Sequence, residues 1–105
     1  MTARIYKTGA SLKSAVCETS IIILRVPNTA LDLRCGGAPM LMAGETAPAG
    51  AALDPAHTNQ TLVGKRYVDA GETMEFLCTK AGAGSLSVGD EPLAVKAPKA
   101  LPSSD

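Results

Sequence analysis

The chain has 105 residues, 46% of them apolar and 19% charged, with ten basic side chains balancing ten acidic ones. That length holds one ordinary domain, or two very small halves sharing a core, and leaves no room for a separate cofactor domain. Neither sign of charge forms a run, which removes the electrostatic footprint of a nucleic-acid or anionic-membrane binder, and the longest apolar run, at 21–24, falls far short of the roughly 20 residues of a membrane span.

The N-terminus lacks the charged-then-apolar order of a signal peptide, so the expectation is a cytoplasmic protein without nucleic-acid or membrane partners. Only Tyr6, Tyr67 and Phe76 are aromatic, and the core is expected to be aliphatic and thin. Residues 1–14 mix polar and apolar types without period and read as an arm that Ile5 and Tyr6 can anchor. Next, "SAVCETSIIILRVP" joins β-branched residues to Pro27, which predicts a strand over 19–26. "PNTA" has turn chemistry and "LDLRC" alternates at period two, so the two arms read as a hairpin running into the glycine turn of "LRCGGAPM".

Residues 43–60, "AGETAPAGAALDPAHTNQ", are rich in Ala, Gly and Pro without period and read as a long loop. Strand patterns resume in "LVGKRYV", "TMEFLC", "GSLSV" and "PLAVKA". No amphipathic helix with start and stop signals is present. The reading is an all-β chain of six to eight short strands, with one domain over 1–98 and a disordered tail at 99–105.

"LRCGGAPMLM" (33–42) aligns without a gap with "LSVGDEPLAV" (86–95), matching Leu33 to Leu86, Gly36 to Gly89, Pro39 to Pro92 and Met40 to Leu93. A cysteine lies upstream of each, in "VCETS" and "LCTKAG", which marks pseudo-repeats at about 14–42 and 74–96. These stretches resemble the desulforedoxin-type and rubredoxin-like (zinc-ribbon-like) metal modules. In that family a first knuckle C-x-x-C-G and a second knuckle L-x-C-C-G-x-P-M are joined by a short β-ribbon. The resemblance implies a small twisted β-ribbon or open barrel of antiparallel strands. It also implies zinc or iron held by Cys17, Cys35 and Cys78. The pattern is degenerate, however: Ser20 and Gly36 stand at two of the cysteine positions in the first copy, and Ala81, Val88 and Gly89 stand at three in the second. Tetrahedral thiolate sites take four ligands, so neither copy builds one alone, and the family's electron-transfer role does not carry over.

For Cys17 and Cys35 three states compete: a disulfide, an incomplete metal site completed from elsewhere, or two buried thiols. Free cysteine packs as a small hydrophobe, which favours the last. A site of three cysteines with His57 has a legitimate ligand set but lacks any C-x₂₋₄-C or H-x₃₋₅-H pair. The single histidine also leaves nucleophilic catalysis with one Cys-His combination. Asp90 with Glu91 and Glu72 with Glu75 read as turn and solvent-face residues, "GAGS" at 82–85 as a hairpin turn, and Met40, Met42 and Met74 as core filling. The sequence therefore predicts a non-catalytic accessory or protein-interaction module that needs no cofactor and meets a protein partner or a second copy of itself. The alternative is a thiolate metal-binding (zinc or iron) or redox protein using Cys17 and Cys35.

Overall fold

Alternation at period two places every second side chain of a strand on one face. Ile21 and Ile23 of "SIIILR" and Phe76 and Cys78 of "EFLCTK" accordingly point into the core with at most 1% exposure. The computed structural model describes residues 4–89 and 91–96. These form ten strands: β1 (Ser11–Lys13), β2 (Ser20–Arg25), β3 (Leu33–Cys35), β4 (Ala38–Pro39), β5 (Leu41–Met42), β6 (Arg66–Val68), β7 (Glu75–Lys80), β8 (Leu86–Val88), β9 (Glu91–Pro92) and β10 (Ala94–Val95). A 3₁₀ turn, Pro55–His57, interrupts the long loop.

The protein is all-β. An antiparallel six-stranded sheet runs in the order β10, β6, β7, β2, β1, β5, and a four-stranded one in the order β4, β3, β8, β9. The two are not closed into a barrel. Among the described residues no helix is long and apolar enough to cross a membrane.

The second five strands repeat the first five in length and in pairing. β2 lies against β7 with Ile22 opposite Leu77, and β3 lies against β8 with Arg34 opposite Ser87. Each of these pairs joins equivalent residues of the two copies, so a pseudo-twofold axis passes through both sheets. The outer pairings obey the same relation: β5 on β1 matches Leu12 to Met42, and β10 on β6 matches Tyr67 to Val95. Backbone bonds repeat as well. Met40 N donates to Leu33 O at 3.1 Å and Leu93 N to Leu86 O at 3.0 Å. Gly36 N donates to Ser85 O at 3.0 Å and Gly89 N to Asp32 O at 2.8 Å. Neither half owns a sheet, and each completes the other, as two half-cores in a chain this short require.

This repeat begins further upstream than the sequence match suggests, at β1 and β6. It pairs Cys78 with Ile23, both on inward-facing positions of equivalent strands, and not with Cys17, which lies in the β1–β2 connection. Two local expectations are also corrected. β2 and β3 are not a hairpin: both edges of β2 are already taken by β1 and β7, so β3 crosses to the other sheet. The arm at 1–14 contributes strand β1, whose single inward residue, Leu12, is too short a pattern to read. Tyr6 anchors the arm by burial, whereas Ile5 is 55% exposed. The tail at 99–105 lies outside the described residues.

A candidate dithiol site

Cys17 sits in the six residues, 14–19, that join β1 to β2. Ser14 shapes this turn. Its hydroxyl oxygen accepts the amides of Val16 and Cys17, each at 3.1 Å, while its own amide donates to Thr19 O at 2.8 Å. A serine oxygen that captures amides two and three residues ahead is a standard way to hold a tight turn outside a ladder. Cys35 is the last residue of β3, paired to Ala38 on one side and Leu86 on the other, with no exposed surface. The turn and the strand bring the two sulfurs to 3.8 Å. Both thiols are free, Cys17 partly open to solvent and Cys35 buried.

The wall of the site comes from the second copy. The β7–β8 connection, residues 81–85, lays backbone directly on the dithiol. A β-carbon added at Gly84 would stand 2.9 Å from the Cα and N of Gly36 and 3.1 Å from Cys17 Sγ. Thr61 Oγ1 donates to Gly84 O at 2.6 Å and holds that backbone down. "GAGS" is therefore not a hairpin turn, since it links strands of different sheets. Gly36 and its counterpart Gly89 have φ of +65° and +60°, the left-handed conformation that glycine adopts without steric cost. That geometry persists in both copies of the turn although the cysteine does not.

The two thiols are electrostatically unequal. Burial acts to raise the Cys17 pKa, but hydrogen bonds from the Ser14 and Thr19 hydroxyls and from the Thr19 and Gly84 backbone outweigh it and bring the thiol down to about 7. No cation takes part. Cys17 Sγ lies 3.2 Å from Thr19 Oγ1; the thiol donates to that oxygen, and once ionised it accepts from the hydroxyl proton. Burial, reinforced by the charge of Cys17, pushes Cys35 up to about 12. Near neutral pH Cys35 keeps its proton, while Cys17 is poised between thiol and thiolate.

Cys78 does not join them. It lies inside β7 opposite Ile21, buried, with its thiol donating to Lys80 O at 3.2 Å, and burial raises its pKa. His57 is half-buried in the 3₁₀ turn, its carbonyl accepting from Ser85 N. Among the described residues no group of three or more Cys, His, Asp or Glu side chains is placed to hold a metal ion. Two thiolates bonded at about 2.3 Å to a tetrahedral cation stand about 3.8 Å apart, so the spacing of Cys17 and Cys35 would serve as one edge of such a site. The remaining ligands would have to come from elsewhere.

The acidic pairs have other occupations. Glu75 binds Arg66 at 3.2 Å and Lys96 at 3.0 Å. Glu72 is exposed at a φ of +53°, and Asp90 lies outside the described residues. Met40 and Met74 are core residues and Met42 packs against that core. The residues that sequence reasoning missed are Ser14, Thr19 and Gly84. The first two carried a faint signal, hydroxyls three before and two after Cys17 in "SAVCET". Gly84 carried none, because its role depends on packing between the copies. No known protein family, curated protein or solved structure matches the chain.

Proposed function

We propose that the chain is a small non-enzymatic accessory protein whose working part is the Cys17–Cys35 dithiol, exchanging electrons with disulfide-bearing partners. The observation that supports it is the pairing of a partly exposed sulfur with a buried one at 3.8 Å. Ionised Cys17 attacks one sulfur of a partner disulfide, forming a mixed disulfide and expelling the other sulfur as a thiolate, which takes up a proton. Cys35 then gives up its proton and attacks Cys17 Sγ, forming the intramolecular disulfide and releasing the second partner thiol. Two electrons pass from the dithiol to the partner. The raised pKa of Cys35 keeps it protonated at rest; the mixed disulfide removes the lesser cause, the Cys17 charge, while burial remains. A reducing cytoplasm suits such a pair, whose disulfide is transient there. Zinc or iron at the same two thiolates would need ligands supplied by a partner.

The test is equilibration of the whole chain in glutathione buffers of graded ratio, followed by acid quenching and mass spectrometry. Loss of two hydrogens at Cys17 and Cys35, with Cys78 still alkylatable after unfolding, is the expected result. A chain that forms only glutathione adducts, or nothing, refutes the dithiol role.

A second copy is the partner favoured by the edge of the six-stranded sheet. Among the described residues β10 ends that sheet with its outer side unpaired. Val95 and Leu62, 45% and 46% exposed, share a shallow groove with Tyr67 and Leu93. Unpaired edges carrying apolar side chains favour self-association. Sedimentation over a range of concentrations is expected to show a dimer that Val95→Lys abolishes; a monomer at every concentration rejects it.

A further inference from the structure

Residues 53–61 lie as a strap against the residues that wall the dithiol, to which their backbone is fastened. Asp54 N donates to Gly36 O at 2.9 Å, Ser85 N to His57 O at 2.9 Å, and Gln60 N to Ala83 O at 3.1 Å. Thr61 and Gly82 exchange amide bonds at 2.9 and 3.1 Å. Thr61, fully buried and bonded through its hydroxyl to Gly84 O, anchors one end. Within residues 51–60 no side chain is buried, so the rest of the strap is held by backbone bonds and little apolar surface, the signature of a segment that opens at low cost.

Its one apolar latch is Leu53. The vacant β-carbon position of Gly36 lies 2.6 Å from Leu53 Cδ1 and 2.7 Å from Val16 Cγ2, so both methyl groups fill the space over Gly36. Val16 adjoins Cys17 in the chain, and Gly36 adjoins Cys35. The latch therefore rests on the backbone neighbours of both sulfurs.

Oxidation acts directly on that arrangement. A disulfide holds its sulfurs about 2.05 Å apart, so the pair, now 3.8 Å apart, must close by about 1.7 Å. Cys35 is fixed between β4 and β8. Cys17, in a turn outside any ladder, is the freer of the two, and backbone movement there shifts Val16, whose methyl shares the space over Gly36 with Leu53. Packed interiors answer such a shift by changing partners and do not deform continuously.

We infer that closure of the Cys17–Cys35 disulfide unseats Leu53 and releases the 53–60 strap, making this loop a redox-controlled switch. The inference rests on the dithiol reading of the site. The oxidant is a low-molecular-weight disulfide such as glutathione disulfide. The two protein thiols lose two electrons and two protons, and glutathione disulfide becomes two glutathione thiols. The switch then frees the backbone of residues 53–60 and the Leu53 side chain for solvent or a partner only in the oxidised state.

Amide hydrogen exchange on the full chain, read by mass spectrometry, tests the switch. Peptides covering residues 51–60 are expected to exchange at least about tenfold faster after treatment with glutathione disulfide, while β2 and β7 keep their protection. The double variant Cys17→Ser with Cys35→Ser, treated identically, keeps slow exchange. If the disulfide forms and the strap exchanges as before, the switch is overturned and the dithiol stands. If no disulfide forms, both fall. Leu53→Ala supplies an independent arm: it is expected to speed exchange of 51–60 in the reduced protein and to hasten oxidation, and unchanged exchange would overturn the latch.

Discussion

Replacing Thr19 by Val keeps the side chain's shape and removes one hydroxyl from Cys17. The Thr19 hydroxyl is 3.2 Å from the sulfur and is one of the groups that lower its pKa to about 7 against the opposing effect of burial. A hydrogen bond to an ionised group contributes roughly 1.5–3 kcal/mol. Part of that is shared with Ser14 and with backbone amides, which close in when Thr19 is lost. A net loss of about 1.4 kcal/mol corresponds to one pKa unit, which moves Cys17 to about 8. At pH 7 the thiolate fraction then falls about fivefold. The assay is the pH dependence of Cys17 alkylation by iodoacetamide, with modified Cys17 quantified by mass spectrometry. The expected result is a midpoint near 7 in the parent chain and about one unit higher in Thr19→Val. A parent midpoint at the ordinary thiol value of 9.0, or a variant midpoint that does not rise, refutes the hydroxyl-based account of the site.

Cys35→Val borrows the residue of the equivalent position, Val88, and changes the pH dependence of stability. Because the folded pKa of Cys35 is raised to about 12, the neutral thiol contributes stability that is fully present below the unfolded value and is lost as pH rises from about 9 toward 12. Urea unfolding above pH 9 is expected to show a shallower loss in the variant, by up to about 1.4 kcal/mol per pH unit, and an unaltered slope would contradict the burial of the Cys35 thiol. Gly84→Ala places a β-carbon 2.9 Å from the Gly36 backbone, which cannot step aside as a flexible side chain would. Thermal unfolding should show destabilisation of about 1–3 kcal/mol. Gly71→Ala, whose nearest neighbour would be Thr73 Cγ2 at 3.6 Å, should stay within about 0.5 kcal/mol, and equal effects at the two sites would argue against a close approach at Gly84. Finally, the chain cut after Gly50 should yield fragments that do not fold singly and recover native circular dichroism on mixing, because each sheet draws strands from both halves. A fragment that folds alone would speak against shared sheets.

Much of the secondary structure was legible. The apolar, β-branched stretch at 19–26 is β2, and the long Ala-, Gly- and Pro-rich loop at 43–60 contains only a 3₁₀ turn. The duplication could be seen in "LRCGGAPM" and "LSVGDEPL", where Gly36 and Gly89 share a positive φ. What misled was proximity in sequence. Adjacent strands β2 and β3 looked like hairpin partners, and Cys17 and Cys78 looked equivalent because each precedes a turn. Pairing in this protein is instead set by the pseudo-twofold axis, which prefers a strand's counterpart in the other copy to its neighbour in the chain.

The same distinction governs the site. Local chemistry in the sequence determined the strand-forming stretches, the glycine turns and the hydroxyls beside Cys17, since these depend on side-chain period, backbone freedom and short-range hydrogen bonding. The sequence singled out Cys17 and Cys35, but whether their sulfurs meet was decided only by the tertiary structure. Cys17 reaches Cys35 because a turn of one sheet and a strand of the other converge against the backbone of Gly84, and that convergence requires both copies to be packed together. A residue's chemistry is local, but its partner is chosen by the surfaces that must be buried.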